Sequence, residues 1–452
     1  MRRIRLRVTH PLAIIVVAGV MLRLLVGRLY PGHWYDVFAF QDWTRQLLQN
    51  PLHEFYFGQV DVQPDHLPGD LWLLWLVGQA AHLFVPNVDF YGTPYAHLLR
   101  LTAIGCDVAL IISAWWSMRA LDGRRAGVLA AATIALNPVV IFISSVWTQF
   151  DALSVALALL AVGMLARGQP LWASGLFIYA CLIKPQLGLL VPVLIIMELR
   201  RRQGGRPLAW SDLPPGLANA ARDVVLGGFV AVAVALATCL PFGVGLLGMA
   251  TPWTVLERVR MAADTYQWTV LGAWNVWTVP IGRATPPDDV TVLLVGVSYQ
   301  DLGVALTLLG VLGGVWIAAR LRPLPGAVLC GGFVTLWSFF LFATRVHERY
   351  LLPALLLGTL AALLAPALRW WAAALTATCT LNLVVAYAWH VEHIGPLSTS
   401  SLSQAGSVVN IALFAGFLLL LGRSVWTPRR GSAGDRVWPG ATLGADGPPA
   451  AD

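Results

Sequence analysis

Charged residues are scarce in this sequence. Only 12% of the 452 residues are charged, about half the share of an ordinary soluble domain, whereas 58% are hydrophobic. A soluble core of this size could not bury so much apolar surface, so lipid must be the solvent for much of the chain. The net charge of +7 comes from arginines in short clusters between apolar runs, a pattern typical of membrane topology. We therefore expect an all-α integral membrane protein without a nucleic-acid partner.

Cysteine is also rare. None of the five cysteines has a metal-binding or redox spacing, and all stand in apolar runs, so we expect them to pack as small hydrophobic residues. No Gly-rich nucleotide-binding loop follows a predicted strand, which agrees with a lipid-linked rather than a nucleotide-linked ligand. Five histidines lack paired metal-ligand spacing, and we interpret them as loop or interfacial residues: His33, His53, His66, His82 and His97.

Long apolar runs are what the sequence has in abundance. A helix needs about 20 residues to cross the hydrocarbon, and candidate spans lie near 10–28, 98–118, 126–144, 151–166, 171–184, 186–198, 223–245, 301–319, 325–343, 350–367, 371–389 and 406–422. The 20 tryptophans suit a protein with two membrane–water interfaces. No small-residue cleavage site follows Met1–Arg7, so we interpret the first run as an uncleaved span.

The arginine clusters predict the topology. A thirteenth run, Leu71–Val85, is short, and counting it as a span would place the Arg119–Arg125 cluster outside and invert every later cluster. If Leu71–Val85 instead lies at the interface, all the arginine clusters fall on the cytoplasmic side, as the positive-inside rule requires. We therefore predict about twelve transmembrane helices within residues 1–426, cytoplasmic termini, and a disordered cytoplasmic tail over 427–452.

Two large segments are external in this topology, residues 29–97 and residues 246–300. The first holds two candidate interfacial helices, Asp36–Gln49 and Leu71–Val85. The external face also carries polar residues that orientation does not explain: Asp36, Asp42, Gln149, Asp151, Lys184, Gln186, Arg345, His347, Glu348 and Arg349. Ionisable groups at membrane depth are costly and usually pair or line a cavity. Carboxylates for proton transfer beside cations for a phosphate indicate chemistry on a lipid-linked anion.

Several short motifs on this face resemble those of one enzyme superfamily. They are Tyr35-Asp36, Trp147–Asp151, Lys184–Gln186, Thr265–Trp268 with Ala273–Trp277, and Arg345–Arg349. Their spacing across residues 10–390 resembles that of the GT-C glycosyltransferases, especially the branch with the dolichyl-phosphate-glucose glucosyltransferases and their bacterial mannosyltransferase-like relatives. Arg345–Arg349 resembles that branch's His-Val-His-Glu-Lys turn, and Ala273–Trp277 resembles its Asn-x-Trp motif.

The resemblance implies a GT-C-like polytopic bundle in a bacterial plasma membrane, with its active site on the extracytoplasmic face. It implies transfer of a hexose from a polyprenyl-phosphate-linked sugar to a lipid-linked or envelope glycan acceptor, with inversion and with neither metal nor cofactor. Asp36 would be the base, and Arg345, His347 and Lys184 would meet the donor phosphate. The remaining candidate substrate-binding residues are Asp151, Gln149, Gln186, Glu348, Arg349, Asn275 and Trp277.

Two departures from the family pattern concern the acceptor. His66–Gly69 stands where relatives often have Tyr-Pro-Pro, and Phe38 stands where the glucosyltransferases have a second acid. The identity of the acceptor is therefore open, more than the type of reaction.

Structural roles compete with these interpretations. Asp36 and Asp151 each stand where a helix N-cap would, Asp42 and Arg45 are spaced as a helical ion pair, and Lys184 is placed to snorkel at a span end.

Other functions also compete. Asp107 lies inside the second span without an evident partner, as either a buried hydrogen-bonding group or part of a proton relay. A relay would favour a polytopic flippase or transporter of lipid-linked sugars, and a non-catalytic assembly subunit is a further alternative.

Overall fold

A computed structural model describes residues 10–57, 61–208, 216–248, 251, 253–281, 288–392 and 401–426. The α-helices are α1 His10–Gly27, α2 Trp34–Gln49, α3 Pro68–Phe84, α4 Thr93–Ala135, α5 Pro138–Ile141, α6 Asp151–Ala166, α7 Pro170–Ile183, α8 Val191–Arg202, α9 Leu217–Cys239, α10 Val255–Asp264, α11 Thr278–Ile281, α12 Tyr299–Arg320, α13 Leu324–Phe342, α14 Leu352–Leu364, α15 Arg369–Glu392 and α16 Ser401–Trp426. Between α9 and α12 lie four short strands, β1 Val244–Gly245, β2 Trp253–Thr254, β3 Val292–Leu294 and β4 Val297–Ser298. The predicted disordered tail, 427–452, lies outside the described residues.

The helices follow the predicted apolar runs. Seven of the described helices are long and apolar enough to cross a membrane, and they fall within α1, α4, α9, α12, α13, α15 and α16. The all-α membrane class is thereby confirmed, and the count of about twelve spans stays a prediction. Both helices expected in the first external segment are present as α2 and α3, and α3 starts early because Pro68 suits a first helical turn.

Helix α4 is two helices joined by a tight turn. Asp122 and Gly123 leave helical geometry, and Gly123 has a φ of +89°, which a residue with a side chain rarely adopts. The turn lies inside the Arg119–Arg125 cluster, where the sequence predicts a loop between two spans.

The predicted span at 126–144 is interrupted. Pro138 has no amide hydrogen for a continuous helix, so α4 ends at Ala135. The Asn137 side chain then caps α5 by accepting the Val139 N–H at 2.9 Å. The chain continues as a π-helix over Phe142–Trp147. This irregular turn leads directly into one of the polar motifs.

A buried ion pair joins α1 to α4 next to the π-helix. Arg23 Nε donates to Asp107 Oδ2 at 2.6 Å, and the two side chains are 0% and 1% exposed. Ser144 in the π-helix donates to the same oxygen at 2.6 Å. Asp107 therefore has a cationic partner, which supports the structural interpretation of this residue over a proton relay.

The polar motifs meet at one end of the bundle. Asp36 contacts Trp147 and Gln149, and Asp151 pairs with Lys184. Arginines at the opposite ends of α8 and α12 hold a second set of contacts. There, Arg200 donates to the Ala318 carbonyl at 2.5 Å and Arg320 donates to the Leu208 carbonyl at 3.0 Å. This segregation is what the alternating arginine clusters predict.

Candidate active site

Asp36 lies in the first turn of α2 but does not cap it. His33 is the cap, because its Nδ1 accepts the backbone N–H of Asp36 at 3.3 Å. The Asp36 carboxylate instead accepts two hydrogen bonds at Oδ2, from Trp147 Nε1 at 2.8 Å and from Gln149 Nε2 at 2.5 Å. Oδ1 lies 3.5 Å from His33 Nδ1, and the side chain is 14% exposed. One oxygen is thus fixed by the protein while the other is the freer of the two.

The end of the π-helix positions both donors. Thr148 follows Trp147 with a φ of +74°, a left-handed conformation that costs energy for a branched residue. In this geometry Trp147 and Gln149 reach the same carboxylate oxygen. The His33 N–H donates to the Trp147 carbonyl at 3.1 Å, and the His33 ring stacks on the indole at 4.8 Å. The start of α2 and the π-helix are therefore joined by backbone and side-chain contacts.

Asp36 is held in its charged form. Burial alone would raise its pKa, but the His33 ring, the Arg349 cation and the Gln149 amide together outweigh burial. The pKa of Asp36 consequently lies well below its ordinary value. The carboxylate is available to accept a proton at neutral pH, and it becomes a stronger base when the positive charge nearby is shared with an anion.

Two cations, Lys184 and Arg349, meet at Asp151, and they differ in how firmly they are paired. Lys184 Nζ lies 2.8 Å from Asp151 Oδ1, with both side chains at least nine-tenths buried. Burial lowers the pKa of Lys184, but Asp151 raises it above its ordinary value. Arg349 has looser contacts, 3.3 Å to Glu348 Oε1 and 3.9 Å to Asp151 Oδ2. Its buried Nε has no hydrogen-bond partner in the described part of the chain.

Glu348 is the buried neighbour of Arg349. Its side chain is 0% exposed and its Oε2 accepts no hydrogen bond from any described residue. Burial raises the pKa of Glu348 although Arg349 opposes the shift. The same burial would lower the pKa of Arg349, but Asp36, Glu348 and Asp151 raise it, so the guanidinium stays charged.

His347 lies between two phenol rings. Its ring contacts Tyr266 at 5.5 Å and Tyr350 at 5.4 Å, both edge-on, and its backbone bridges to Leu271 and Gly272. Burial, and then the charge of Arg349, lower the pKa of His347 well below its ordinary value. The imidazole is therefore neutral at neutral pH in the unliganded protein.

Arg345 points away from this cluster. Its Nε and NH2 form a two-pronged contact with Asp289 at 2.7 and 2.9 Å, and NH1 lies 2.6 Å from Asp264 Oδ1. Asp289 is fully buried. The guanidinium is thus committed to holding the segment between α10 and α12 against the turn that carries His347.

Two further candidates have packing roles. Asn275 accepts the Trp277 backbone N–H at 3.1 Å and donates to the Ala343 carbonyl at 3.4 Å, and Trp277 Nε1 donates to the Phe342 carbonyl at 2.8 Å. Both side chains are buried. Gln186 is half-buried, two residues after Lys184. Asn275 and Trp277 hold the segment between α10 and α12 to the end of α13.

The sequence interpretation missed several residues near the site. His33 and Trp147, which orient Asp36, carried no predicted role of their own. His66 contacts Asp70 through Nδ1, and its Nε2 lies 3.8 Å from Asp65. Burial opposes the protonated form of His66, but Asp70 raises its pKa. The spacing of four residues between the His and the acid at a helix start could have indicated this pair.

The Asp65 carboxylate faces the same region. The ring of Tyr266 packs on His347. Burial raises the pKa of Tyr266, and the negative charge of Asp65 raises it further. The described part of the chain contains no group of three or more His, Cys, Asp or Glu side chains arranged to hold a metal ion. What the arrangement offers is an oriented carboxylate, an unsatisfied cationic donor and an imidazole within one cluster.

These features define a polytopic membrane protein with acid–base and anion-binding groups at one end of its helix bundle. Residues 72–259 match the ALG6, ALG8 glycosyltransferase family. The match agrees with the resemblance inferred from the motifs, over a stretch that is less than half of the chain.

Comparison with solved structures finds the Archaeoglobus fulgidus oligosaccharyltransferase, crystallised in its apo form. The two share 14% identity with a TM-score of 0.40, over 94% of this chain and 57% of that chain. This chain therefore spans a little over half the length of the archaeal one. Comparison with curated proteins returns no match.

Proposed function

We propose that this protein transfers a hexose from a polyprenyl-phosphate-linked sugar to a lipid-linked or envelope glycan acceptor, with inversion and without a metal ion. One observation carries the proposal. The indole of Trp147 donates to Asp36 Oδ2 at 2.8 Å, and the Arg349 guanidinium lies over the same ring, 5.9 Å from its centroid. The Trp147 side chain therefore contacts both a candidate base, Asp36, and a candidate cation for the leaving phosphate, Arg349.

Asp36 Oδ1 is the oxygen we assign to proton transfer, because Oδ2 is occupied by Trp147 and Gln149. Oδ1 takes the proton of the acceptor hydroxyl while that oxygen attacks the anomeric carbon of the donor. The bond from the anomeric carbon to the phosphate oxygen breaks on the opposite face, and polyprenyl phosphate leaves with the electron pair. The configuration at the anomeric carbon inverts.

Arg349 is our first candidate for the departing phosphate. Its buried Nε lacks a partner among the described residues, and a guanidinium fork suits phosphate oxygens. As the phosphate draws on the charge of Arg349, Asp36 loses part of what lowers its pKa and becomes a better base. His347 supplies one further hydrogen bond, and Lys184 acts through Asp151. We assign Arg345 to holding the turn, since Asp289 and Asp264 occupy its donors.

The transporter alternative loses its main support. Asp107 is the one ionisable group that the sequence places plainly inside a span as a candidate relay, and Arg23 neutralises it in the structure. The remaining acids and bases gather at a helix end, where chemistry on a headgroup takes place, rather than at mid-depth.

We further propose that this end faces the extracytoplasmic side. The proposal rests on the arginine clusters at the opposite helix ends. A cysteine introduced at exposed Arg124 should react with impermeant maleimide only after the membrane is opened, whereas one at exposed His53 should react in sealed cells. Labelling of position 124 in sealed cells would reverse the orientation.

The transfer itself is tested with purified protein and a panel of polyprenyl-phosphate sugars. Asp36→Asn preserves size while removing the proton acceptor, so transfer should fall by about 10²- to 10⁴-fold, the usual worth of a positioned base. Glu54→Gln is the matched control, because this acid is 55% exposed in the same external segment. Near-normal transfer by Asp36→Asn would remove Asp36 as base, and no transfer from any lipid-linked sugar by the unaltered protein would remove the function.

A further inference from the structure

A short hairpin before α12 is apolar on both of its faces. Strands β3 and β4 pair antiparallel around Val295 and Gly296, whose φ angles of +44° and +80° suit a type I′ turn. The exposed apolar side chains are Val290, Val292, Leu293, Leu294, Val295 and Val297, each at least 42% exposed. No charged residue lies between Asp289 and Asp301.

This composition is unusual for a hairpin in water. A two-stranded hairpin normally alternates apolar and polar residues, whereas the consecutive residues 292–295 are all apolar and all exposed. Val295, at the tip, is 92% exposed and stands where Asn or Gly is favoured, because a β-branched residue is strained at positive φ. An exposed patch of this kind marks an interaction surface.

The position of the hairpin indicates its partner. Strand β4 ends at Ser298, which caps α12 in a reciprocal pair with Asp301. Helix α12 is long and apolar enough to cross a membrane, and Val304 and Leu308 on its outer surface are about half exposed. The apolar surface of the hairpin therefore continues into the surface that lipid covers. Exposed Trp268, whose backbone bridges to Asp288 at the hairpin base, is a residue type typical of membrane interfaces.

We propose that residues 290–297 insert into the bilayer leaflet on the side of the Asp36 cluster and anchor the segment between α10 and α12 to the membrane. The partner is the lipid surface itself. This proposal needs only that the chain spans a membrane, and it does not depend on the sugar-transfer reaction.

The hairpin base is tied to the turn that carries the cationic cluster. Asp289 accepts Arg345 Nε at 2.7 Å and the Thr344 hydroxyl at 2.6 Å. Arg345 has a φ of +60° and precedes His347 by two residues. A hairpin held in lipid would thereby fix the depth of His347 and Arg349 relative to the headgroups, through one buried ion pair.

A fluorescent label at the hairpin tip tests the insertion. Val295→Cys is labelled with an environment-sensitive nitrobenzoxadiazole in the full chain in nanodiscs, with lipid-borne nitroxide or aqueous iodide as quencher. Arg260→Cys on α10 is the exposed control in the same segment, and the unsubstituted chain gives the background from native cysteines. The label at 295 should emit at shorter wavelength and be quenched at least twofold more by nitroxide lipid than the label at 260.

Iodide quenching at 295 equal to that at 260, without lipid quenching, would overturn the proposal. Protection that appears only with two protein copies per disc would also overturn it, in favour of a protein contact. A second variant guards against misfolding: Val295→Asn suits the turn, and combined with Leu294→Asp it removes apolar character. A label on Val297→Cys should then move into water, and unchanged lipid quenching in that background would contradict insertion.

Discussion

Trp147 Nε1 donates to Asp36 Oδ2 at 2.8 Å, joining residues that lie 111 positions apart in the chain. The same tryptophan accepts the His33 N–H at its carbonyl. The carboxylate therefore has its orientation fixed before any substrate arrives, by a turn that exists only because the π-helix ends in a left-handed residue. Such preorganisation reduces the entropy lost on reaching the transition state.

Trp147→Phe should lower kcat without a matching change in donor KM. The variant keeps an aromatic ring against His33 but removes one hydrogen bond to a charged acceptor, which is worth about 1.5–3 kcal/mol and corresponds to about a 10- to 100-fold change. The acidic limb of the pH–kcat profile should also move to higher pH, because Asp36 loses a donor that favours its charged form. Steady-state rates at neutral pH measure the first effect, and rates taken down to the lowest pH at which the protein stays folded measure the second. An unchanged kcat would assign Trp147 a packing role alone.

Arg349 and Arg345 should separate in their effects on the donor. Arg349→Lys keeps the charge but loses the planar fork. We expect donor KM to rise about tenfold, because roughly one charge-assisted hydrogen bond to the phosphate is lost. Arg345→Lys should instead lower thermal stability, since it gives up the two-pronged contact with buried Asp289. Initial rates against donor concentration, with unfolding followed in detergent, distinguish them. A donor effect from Arg345→Lys in a fully stable protein would return Arg345 to the phosphate site.

His347 should couple donor binding to proton uptake. Burial and the charge of Arg349 hold the pKa of His347 well below its ordinary value in the free protein, so the ring is neutral. A bound phosphate anion would offset that positive charge and raise the pKa of His347. Binding would then take up a proton, and donor affinity should increase as pH falls, by up to about tenfold per pH unit. Donor Kd measured from pH 8 to 6 should show this slope in the unaltered protein and lose it in His347→Gln.

Much of the fold could be predicted from the sequence, because the spacing of apolar residues and the placement of charged residues determine helices and their topology locally. Helices α2 and α3 were predicted from amphipathic spacing, prolines and the positive-inside rule, and they form within a few residues of the expected bounds. The break at Pro138 has a clear sequence cause. The π-helix after it has no such cause in the local sequence, and its Ser144 donates to Asp107, a residue 37 positions away.

The site was only partly predictable for the same reason. Residue types identified Asp36, Arg349 and Lys184 as unexplained polar groups in an apolar chain. Their partners depend on three-dimensional pairing. Asp289 and Asp264 occupy the donors of Arg345, whereas Nε of Arg349 has no hydrogen-bond partner among the described residues. Neither outcome follows from the spacing within the Arg345–Arg349 motif.

The Arg23–Asp107 pair should matter for stability and not for transfer. Arg23→Met leaves the Asp107 carboxylate buried without its cation, which should cost about 3–5 kcal/mol of unfolding free energy. Arg23→Met combined with Asp107→Leu replaces both charges with apolar groups of similar size and should recover most of that loss, giving a large positive coupling in a double-mutant cycle. Unfolding in detergent supplies the four free energies. The folded double variant should retain transfer close to the unaltered rate, because neither residue reaches the Asp36 cluster. If the double variant is stable but inactive, Asp107 carries protons or couples to the site, and the transporter interpretation regains its strongest residue.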